Sequence, residues 1–119
     1  MNIASQKDQL LINLLSATTL RYRVLTNNLA NQNTPGYTRK TVGFEDLLSR
    51  ELEERQPDLL SIAPQVEEDL VSPATPDGNN VSMELELNGI MQNRLRYETY
   101  ASILTGRMEL LRTAIQGDR

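Results

Sequence analysis

The 119-residue chain contains no cysteine and no histidine, and these two absences exclude most kinds of enzyme site. Without cysteine there is no disulfide, no thiolate nucleophile and no cysteine-ligated metal. Without histidine the chain lacks the commonest general base and the commonest metal ligand. Carboxylates alone can bind calcium or cleave glycosidic bonds, but no loop has the spacing of acidic residues that such sites require. We therefore predict a protein that is not an enzyme and that uses no cofactor or metal.

Large apolar side chains are also scarce, since aromatic residues make up 4% of the chain and tryptophan is absent. A single domain of this length buries only about two thirds of its unfolded surface, and an elongated one buries less. Some apolar surface is therefore expected to be covered by partner subunits. The uninterrupted apolar runs are too short to cross a membrane, and the first residues do not resemble a cleaved signal peptide. We expect neither direct membrane insertion nor a cleaved signal.

The charge is unevenly distributed along the chain. Residues 1–40 carry five basic groups and one acidic group, whereas residues 41–80 carry ten acidic groups and two basic groups. Nucleic-acid binding needs a concentrated basic face, which neither part supplies. We predict no nucleic-acid partner and an acidic, solvated middle.

Proline divides the chain into three parts, because all five prolines lie between residues 35 and 76. Proline interrupts helices by removing a backbone donor and clashing with the preceding turn. The predicted parts are residues 1–37, a helix with its exit turn; residues 38–78, a variable acidic segment; and residues 79–119, a second helix.

The first part is predicted to be an amphipathic helix from about residue 5 to residue 30. Apolar residues recur at steps of three and four, the spacing of one helical stripe. Its predicted seam residues are Leu11, Leu15, Tyr22, Leu25 and Leu29.

The last part repeats this pattern over a longer stretch, with Arg94 as the one member of the stripe that is not apolar. Asn80 or Ser82 can cap the start of the helix, and Gly117 suits its end. Its predicted seam residues are Leu87, Ile90, Leu104, Met108, Leu111 and Ile115.

The expected fold is mainly α-helical, with the two terminal helices paired as an antiparallel-type coiled coil. The middle is expected to be short and partly irregular, with a short helix within residues 42–56 and brief strands at residues 65–67 and 69–71. Its proline-rich, acidic composition predicts a segment that is mobile until assembly. Two helices share only one seam, so a free monomer is predicted to be marginally stable.

An asparagine-rich segment, residues 27–37, follows the first helix. Pro35 and Gly36 predict a type II turn, because proline presets the first dihedral angle and glycine supplies the positive one. Tyr37 can then fold back onto the helix. The turn alone does not account for four asparagines and a glutamine within seven residues, a cluster that suits bonds to a neighbouring subunit as well as local capping.

The sequence LANQNTPGY at residues 29–37 closely resembles the ANxxTPGY signature of bacterial flagellar rod and hook proteins, and LRYRVLTNN at residues 20–28 fits the helix that precedes it. GNNV at residues 78–81, LRY at residues 95–97 and LRTAI at residues 111–115 are similar to the C-terminal region of proximal-rod proteins of the FlgB type. Ser82 stands where aspartate is usual, and Leu87 where methionine is usual. The middle segment is unmatched and short for the family.

This resemblance implies a structural subunit of the proximal rod of the flagellar basal body, which transmits motor torque. Such subunits leave the cell through the flagellar type III export apparatus without a cleaved signal, and lie in the periplasmic part of the rod. The implied partners are copies of the chain, other rod proteins and a basal-body base adaptor of the FliE type. The residues implied for subunit contact are, at the elbow formed by the turn after the first helix, Asn28, Asn31, Thr34, Pro35, Gly36 and Tyr37, and at the other end Asn80, Glu86 and Tyr97.

Two other classes remain open at this level. A type III-exported inner-rod or needle protein is also helical, but such chains usually lack the Thr-Pro-Gly-Tyr elbow. A non-flagellar helical-hairpin adaptor would show the same helical stripes and would have no need of both asparagine-rich motifs.

Overall fold

The computed structural model describes residues 3–117, which form an elongated molecule of 68 × 32 × 14 Å. Two long helices dominate it, and a small sheet and a short helix lie between them in the sequence. The elements are α1 (Ile3–Ala30), β1 (Lys40–Gly43), α2 (Glu45–Leu52), β2 (Gln65–Glu68) and α3 (Met83–Gln116), with a 3-10 turn at Leu59–Ser61. The predicted mainly α-helical fold is confirmed.

The two long helices lie antiparallel along their length, as three contacts show. Arg107 of α3 binds Asp8 near the start of α1 at 2.5 Å, and Asn93 donates to the backbone oxygen of Thr18 at 2.8 Å. At the far end, Asn28 of α1 donates to Glu86 of α3 at 3.1 Å. The predicted antiparallel pairing is confirmed.

The start of α3 is capped by Ser82, one of the two predicted caps. Its side chain accepts a hydrogen bond from the backbone N–H of Leu85 at 3.4 Å. Glu84 and Glu86 lie in the first turn, where the helix dipole favours negative charge. The helix ends at Gln116, followed by Gly117, as predicted.

The middle segment differs from its prediction in three places, one of which is the end of its helix, at Leu52 and not at residue 56. Residues 40–43 form β1, a strand that was not predicted and that takes Val42 and Gly43 from the expected helix, so α2 begins only at Glu45. The predicted strand at residues 69–71 is wrong, since the strand ends at Glu68. Asp69 ends it because its carboxylate accepts from the backbone N–H groups of Val71 and Ser72, a turn that removes them from a ladder.

The two strands form an antiparallel pair in which Val42 lies opposite Val66. This explains why β1 was missed: a four-residue strand is defined by its partner more than by its own pattern. The pair is attached to the helices through Arg21 of α1, which binds the Val42 oxygen at 3.2 Å and Glu45 at 2.5 Å. The division into three parts and the mobility of the middle before assembly stay predictions.

The apolar core is small. Among the described side chains only three hydrophobic ones are buried, namely Ala17, Leu25 and Phe44. Gly89 lets α3 approach α1 closely at this point, since a Cβ there would lie 3.0 Å from the Leu25 side chain. The large apolar residues of α3 are mostly exposed, so the helix pair leaves much apolar surface uncovered.

The predicted seam residues fall into three groups in the single chain. Leu25 is buried, and the half-buried members are Leu11, Leu15, Leu29, Ile90 and Leu104. The exposed members are Tyr22, Leu87, Met108, Leu111 and Ile115. The side of α3 that faces α1 runs instead through Glu86, Asn93 and Arg107, about one residue away from the apolar stripe. Packing of the exposed members against neighbouring subunits stays a prediction.

Candidate functional site

Buried polar side chains concentrate where α1 ends and α3 begins. We call this cluster the junction; its members are Asn28, Arg39, Asp69, Asn79, Asn80 and Glu86. Five of the six have at most 8% of their surface exposed, and the Asp69 side chain has 11%. Since buried polar groups destabilise a fold unless they are hydrogen-bonded, the junction is specified by its partners rather than by apolar packing.

Asn28, on the last turns of α1, binds the chain that returns past it. Its Nδ2 donates to the Lys40 backbone oxygen at 2.7 Å, and its Oδ1 accepts from the Lys40 N–H at 2.9 Å. The same Nδ2 donates to Glu86 at 3.1 Å. An amide is required here, because only Asn or Gln can donate and accept at once in this way.

A buried ion-pair network surrounds Arg39. Its Nε donates to Glu86 Oε1 and its Nη1 to Asp69 Oδ2, both at 2.6 Å. Two carboxylates face one guanidinium, so amide and hydroxyl donors are needed to satisfy the excess negative charge. Asn28 supplies one to Glu86, and the Ser72 hydroxyl supplies one to Asp69 at 2.6 Å.

The hydrogen bonds that reach Asp69 also set its protonation. The Ser72 hydroxyl and backbone N–H, together with the Arg39 guanidinium, hold the pKa of Asp69 well below its usual range. The carboxylate is therefore ionised at neutral pH, and the Arg39 pairing is maintained.

Asn79 and Asn80 tie the approach to α3 onto the exit of α1. Asn79 Nδ2 donates to the backbone oxygens of Asn31 and Thr34, both at 2.8 Å. Each of these carbonyl groups, just beyond the helix end, thereby gains a second donor beside the backbone N–H of Thr34 or Tyr37 that it already accepts. Asn80 Oδ1 accepts from the backbone N–H of Arg39 at 2.6 Å, and its Nδ2 donates to the backbone oxygen of Asp69 at 2.7 Å.

The turn at residues 34–37 has the predicted geometry. Gly36 has φ +73°, the positive value that a type II turn needs at this position, and the Tyr37 N–H donates to the Thr34 oxygen at 3.3 Å. Gly36 also packs on Gly78, where a Cβ would lie 3.3 Å from the Gly36 Cα. Tyr37 folds back onto α1, as predicted, and its hydroxyl donates to Asn28 Oδ1 at 3.1 Å.

The structure brings most of the predicted elbow residues together. Asn28, Tyr37, Asn80 and Glu86 belong to or touch the junction, and Asn31 and Thr34 contact it through their backbone oxygens. Of the predicted elbow residues, Thr34, Pro35 and Gly36 remain exposed. Tyr97 lies elsewhere, about four turns into α3, and is 49% exposed. Contact of these residues with other subunits stays a prediction.

Sequence reasoning missed Arg39, Asp69 and Asn79 as members of the junction. Asn79 stands beside the predicted Asn80, and this pair of adjacent asparagines is the signal by which Asn79 could have been identified. Asp69 has a weaker signal, an aspartate followed three residues later by a serine, which is typical of a turn. Nothing in the chain distinguishes Arg39 from other arginines, because its partners are 30 and 47 residues away.

The junction has a structural role, which is to hold α1 and α3 together, and no catalytic role. Its carboxylates are engaged by Arg39 and by amide and hydroxyl donors, so neither is placed to transfer protons to a ligand. Across residues 3–117 there is no group of three or more side chains placed to hold a metal ion. Over the same residues, no helix is both long and apolar enough to span a bilayer.

Comparison with known proteins agrees with this geometry. A sequence model described as "Flagella basal body rod protein" matches residues 13–38, which cover the second half of α1 and the asparagine-rich turn. The chain is 30% identical to the flagellar basal body rod protein FlgB of Bacillus subtilis over 129 aligned positions, spanning 100% of each chain. It is 35% identical to FlgB of Aquifex aeolicus over 82% of each chain, and 30% identical to FlgB of Borrelia hermsii over 87% of this chain and 90% of that one. The chain belongs to the FlgB family of flagellar basal body rod proteins, which are structural proteins and not enzymes.

Proposed function

We propose that this chain polymerises through α1 and α3 to form the proximal rod of the flagellar basal body and to transmit motor torque. The observation that carries the proposal is the imbalance of the apolar side chains. Three hydrophobic side chains are buried within the described chain, whereas eleven large ones on α3 alone are exposed. Covering such surface in an assembly stabilises it by about 25 cal/mol per Å² of apolar area.

The junction supports a mechanical role. It joins the exit of α1 to the start of α3 through charged hydrogen bonds, and such bonds are short and directional. Arg39 alone connects three parts of the chain, since it binds Glu86 of α3 and Asp69 after β2 while lying next to β1. The junction keeps the two helices in a fixed register, and a subunit that transmits torque requires such a fixed register.

The exposed part of the elbow is proposed as a contact with neighbouring subunits. Thr34, Pro35 and Gly36 project from the junction, while the amides behind them are occupied within the chain. The hydrogen bonds predicted between the asparagine cluster and a neighbouring subunit are therefore proposed only for amides outside the junction. Asn33, which is exposed, is one of them.

The proposed partners are copies of this chain, other flagellar rod proteins and a base adaptor of the FliE type. The proposed location is the periplasmic part of the rod, reached through the flagellar type III export apparatus without a cleaved signal. A small core favours this route, because a chain that folds only marginally on its own is easily kept unfolded for export.

Deletion of the gene tests the proposal. Cells without it are expected to lack flagella and motility, and the wild-type chain is expected to restore both. Variants at Pro35 and Gly36 are expected to be exported but not assembled, whereas Glu54→Ala, an exposed change far from the elbow, is expected to assemble normally. Normal flagella in the deletion strain would show that the chain is not a rod subunit.

A further inference from the structure

An open groove runs between α1 and α3 on a side of the pair that the middle segment does not cover. The middle segment packs where Arg21 binds Val42 and Glu45. The groove has a volume of about 450 Å³ and lies near the middle of both helices. Its walls come from Thr19 and Tyr22 of α1 and from Ile90, Arg94 and Tyr97 of α3.

Asn93 lies at the floor of this groove and is 4% exposed. Its Nδ2 donates to the Thr18 backbone oxygen at 2.8 Å, and this bond fixes which way the amide points, because a carbonyl can only accept. The other atom, Asn93 Oδ1, is buried and accepts no hydrogen bond from any described residue. A buried acceptor without a donor is rare in folded proteins.

The side chains that line the groove determine what kind of molecule fits it. Tyr22 is 54% exposed and Tyr97 is 49% exposed, and Ile90 is half-buried between them. An occupant therefore needs an apolar surface for these side chains and one N–H or O–H group for Asn93 Oδ1. An amphipathic helix meets both needs, since a groove between two helices matches the width of a third.

The last turns of α3 have these properties. Every residue from 108 to 117 is exposed, beyond the ion pair between Arg107 and Asp8. Met108, Leu111 and Ile115 recur at steps of three and four, so they form one apolar line. The donors beside this line are Arg112, Thr113 and Gln116.

The separation of the two surfaces suits an open polymer. Asn93 and Leu111 lie roughly 27 Å apart along α3, at 1.5 Å per residue. A contact between different surfaces of successive copies is head-to-tail, and it adds subunits without limit, as a rod requires, when the rotation between copies does not close a ring. A contact of two grooves about a two-fold axis would stop at a dimer.

We propose that the C-terminal turns of α3 of a second copy of this chain dock in the groove, and that on docking the Asn93 side chain shifts enough for its buried Oδ1 to accept a hydrogen bond from them. This inference rests on the proposed rod function. It assigns the surfaces through which successive copies meet, and it gives the buried amide of Asn93 a role in recognition between subunits.

Disulfide cross-linking tests the contact cleanly, because the chain has no cysteine of its own. Thr19→Cys at the groove and Ile115→Cys near the end of α3 are expressed as separate chains in a deletion strain, and isolated basal bodies are oxidised. A dimer joining positions 19 and 115 is expected. The matched control replaces Thr19→Cys with Glu54→Cys, an equally exposed position on the middle segment, and is expected to give none.

The hydrogen bond to Asn93 is tested by the Asn93→Leu substitution in the Thr19→Cys chain. Leucine preserves the size of the side chain but removes the acceptor together with the bond to the Thr18 oxygen, so the yield of the 19–115 dimer is expected to fall about tenfold. Asn88→Leu, the same change at an exposed position of α3, is expected to leave it unchanged. Equal ellipticity at 222 nm in the two variants shows that folding is not the cause.

Three results would overturn the inference: no 19–115 dimer above the control, dimers joining only position 19 to position 19, or cross-links only to a different rod protein. An Asn93→Leu variant that cross-links as well as wild type would overturn the role of the hydrogen bond. If the cysteine chains restore motility while the dimer is absent, the groove assignment is wrong and the rod function stands. If the wild-type chain restores no motility, the rod function itself is wrong.

Discussion

Asn28 and Glu86, 58 residues apart in sequence, are hydrogen-bonded at 3.1 Å with both side chains completely buried. One lies near the end of α1 and the other in the first turn of α3, so this bond fixes where the two helices meet. It also links the two halves of the junction, because Asn28 binds the backbone of Lys40 and Glu86 binds Arg39.

Glu86→Gln is expected to destabilise the fold by about 3 kcal/mol, because it leaves the buried Arg39 with only one carboxylate. The measurement is the free energy of unfolding from urea denaturation followed at 222 nm. Glu84→Gln is the control, since Glu84 lies in the same helical turn but is exposed. Equal stability of the two variants would mean that the buried network contributes little.

Gly36→Ala and Gly106→Ala are expected to change stability in opposite directions. Gly36 has φ +73°, which alanine adopts at a cost of roughly 1 kcal/mol, although an added Cβ would meet no atom within 4 Å. Gly106 lies inside α3, and a Cβ added there would meet no atom within 4 Å, so alanine stabilises the helix by about 1 kcal/mol. Thermal denaturation of the two variants beside the wild type checks both signs.

Acid is expected to weaken the junction through Asp69. The pKa of Asp69 is lower in the folded chain than the value of about 3.9 for an unfolded aspartate. Its contribution to stability is therefore fully present above that value and is lost as the pH falls below it toward the folded pKa. Asp69→Asn is expected to lower stability at pH 7 by roughly 2 kcal/mol and to flatten the acid dependence.

The control for this pH dependence is Asp58→Asn, an exposed aspartate on the middle segment. It is expected to leave the acid unfolding curve close to that of the wild type. If Asp69→Asn and Asp58→Asn give the same curve between pH 2 and pH 7, the acid sensitivity does not originate in the junction.

Dilution of the purified chain is expected to reduce its helicity, because the exposed apolar residues of α3 lack neighbours. Circular dichroism over a wide range of concentrations measures this directly. A monomer that is highly helical and unfolds cooperatively at every concentration would contradict the marginal stability of the free chain.

The long elements of the fold were predictable because they depend on local pattern. The apolar periodicity and the confinement of proline located α1 and α3, and Ser82 capped α3 as one of two candidates. The turn at Gly36 was equally local, since proline followed by glycine determines its dihedral angles. These features need only neighbouring residues.

The features that were missed depend on contacts between distant residues. β1 exists because β2 pairs with it, and Arg39 is important because Glu86 and Asp69 converge on it. The inward side of α3 was also misjudged by about one residue, since Asn93 faces α1 and the side chain of Arg94 is 80% exposed. An apolar stripe predicts which residues are to be buried. It does not predict whether they are buried against the partner helix or against another subunit.

The central claim is that this chain is built into the basal-body rod, and the most direct measurement is its presence in purified basal bodies. Basal bodies isolated from wild-type cells are examined by immunoblotting and electron microscopy, beside those of a deletion strain carrying the wild-type chain or the Glu86→Gln variant. We expect the chain to copurify with intact rods, rods to be absent without it, and the variant to restore fewer of them. Intact rods that lack the chain would contradict the account.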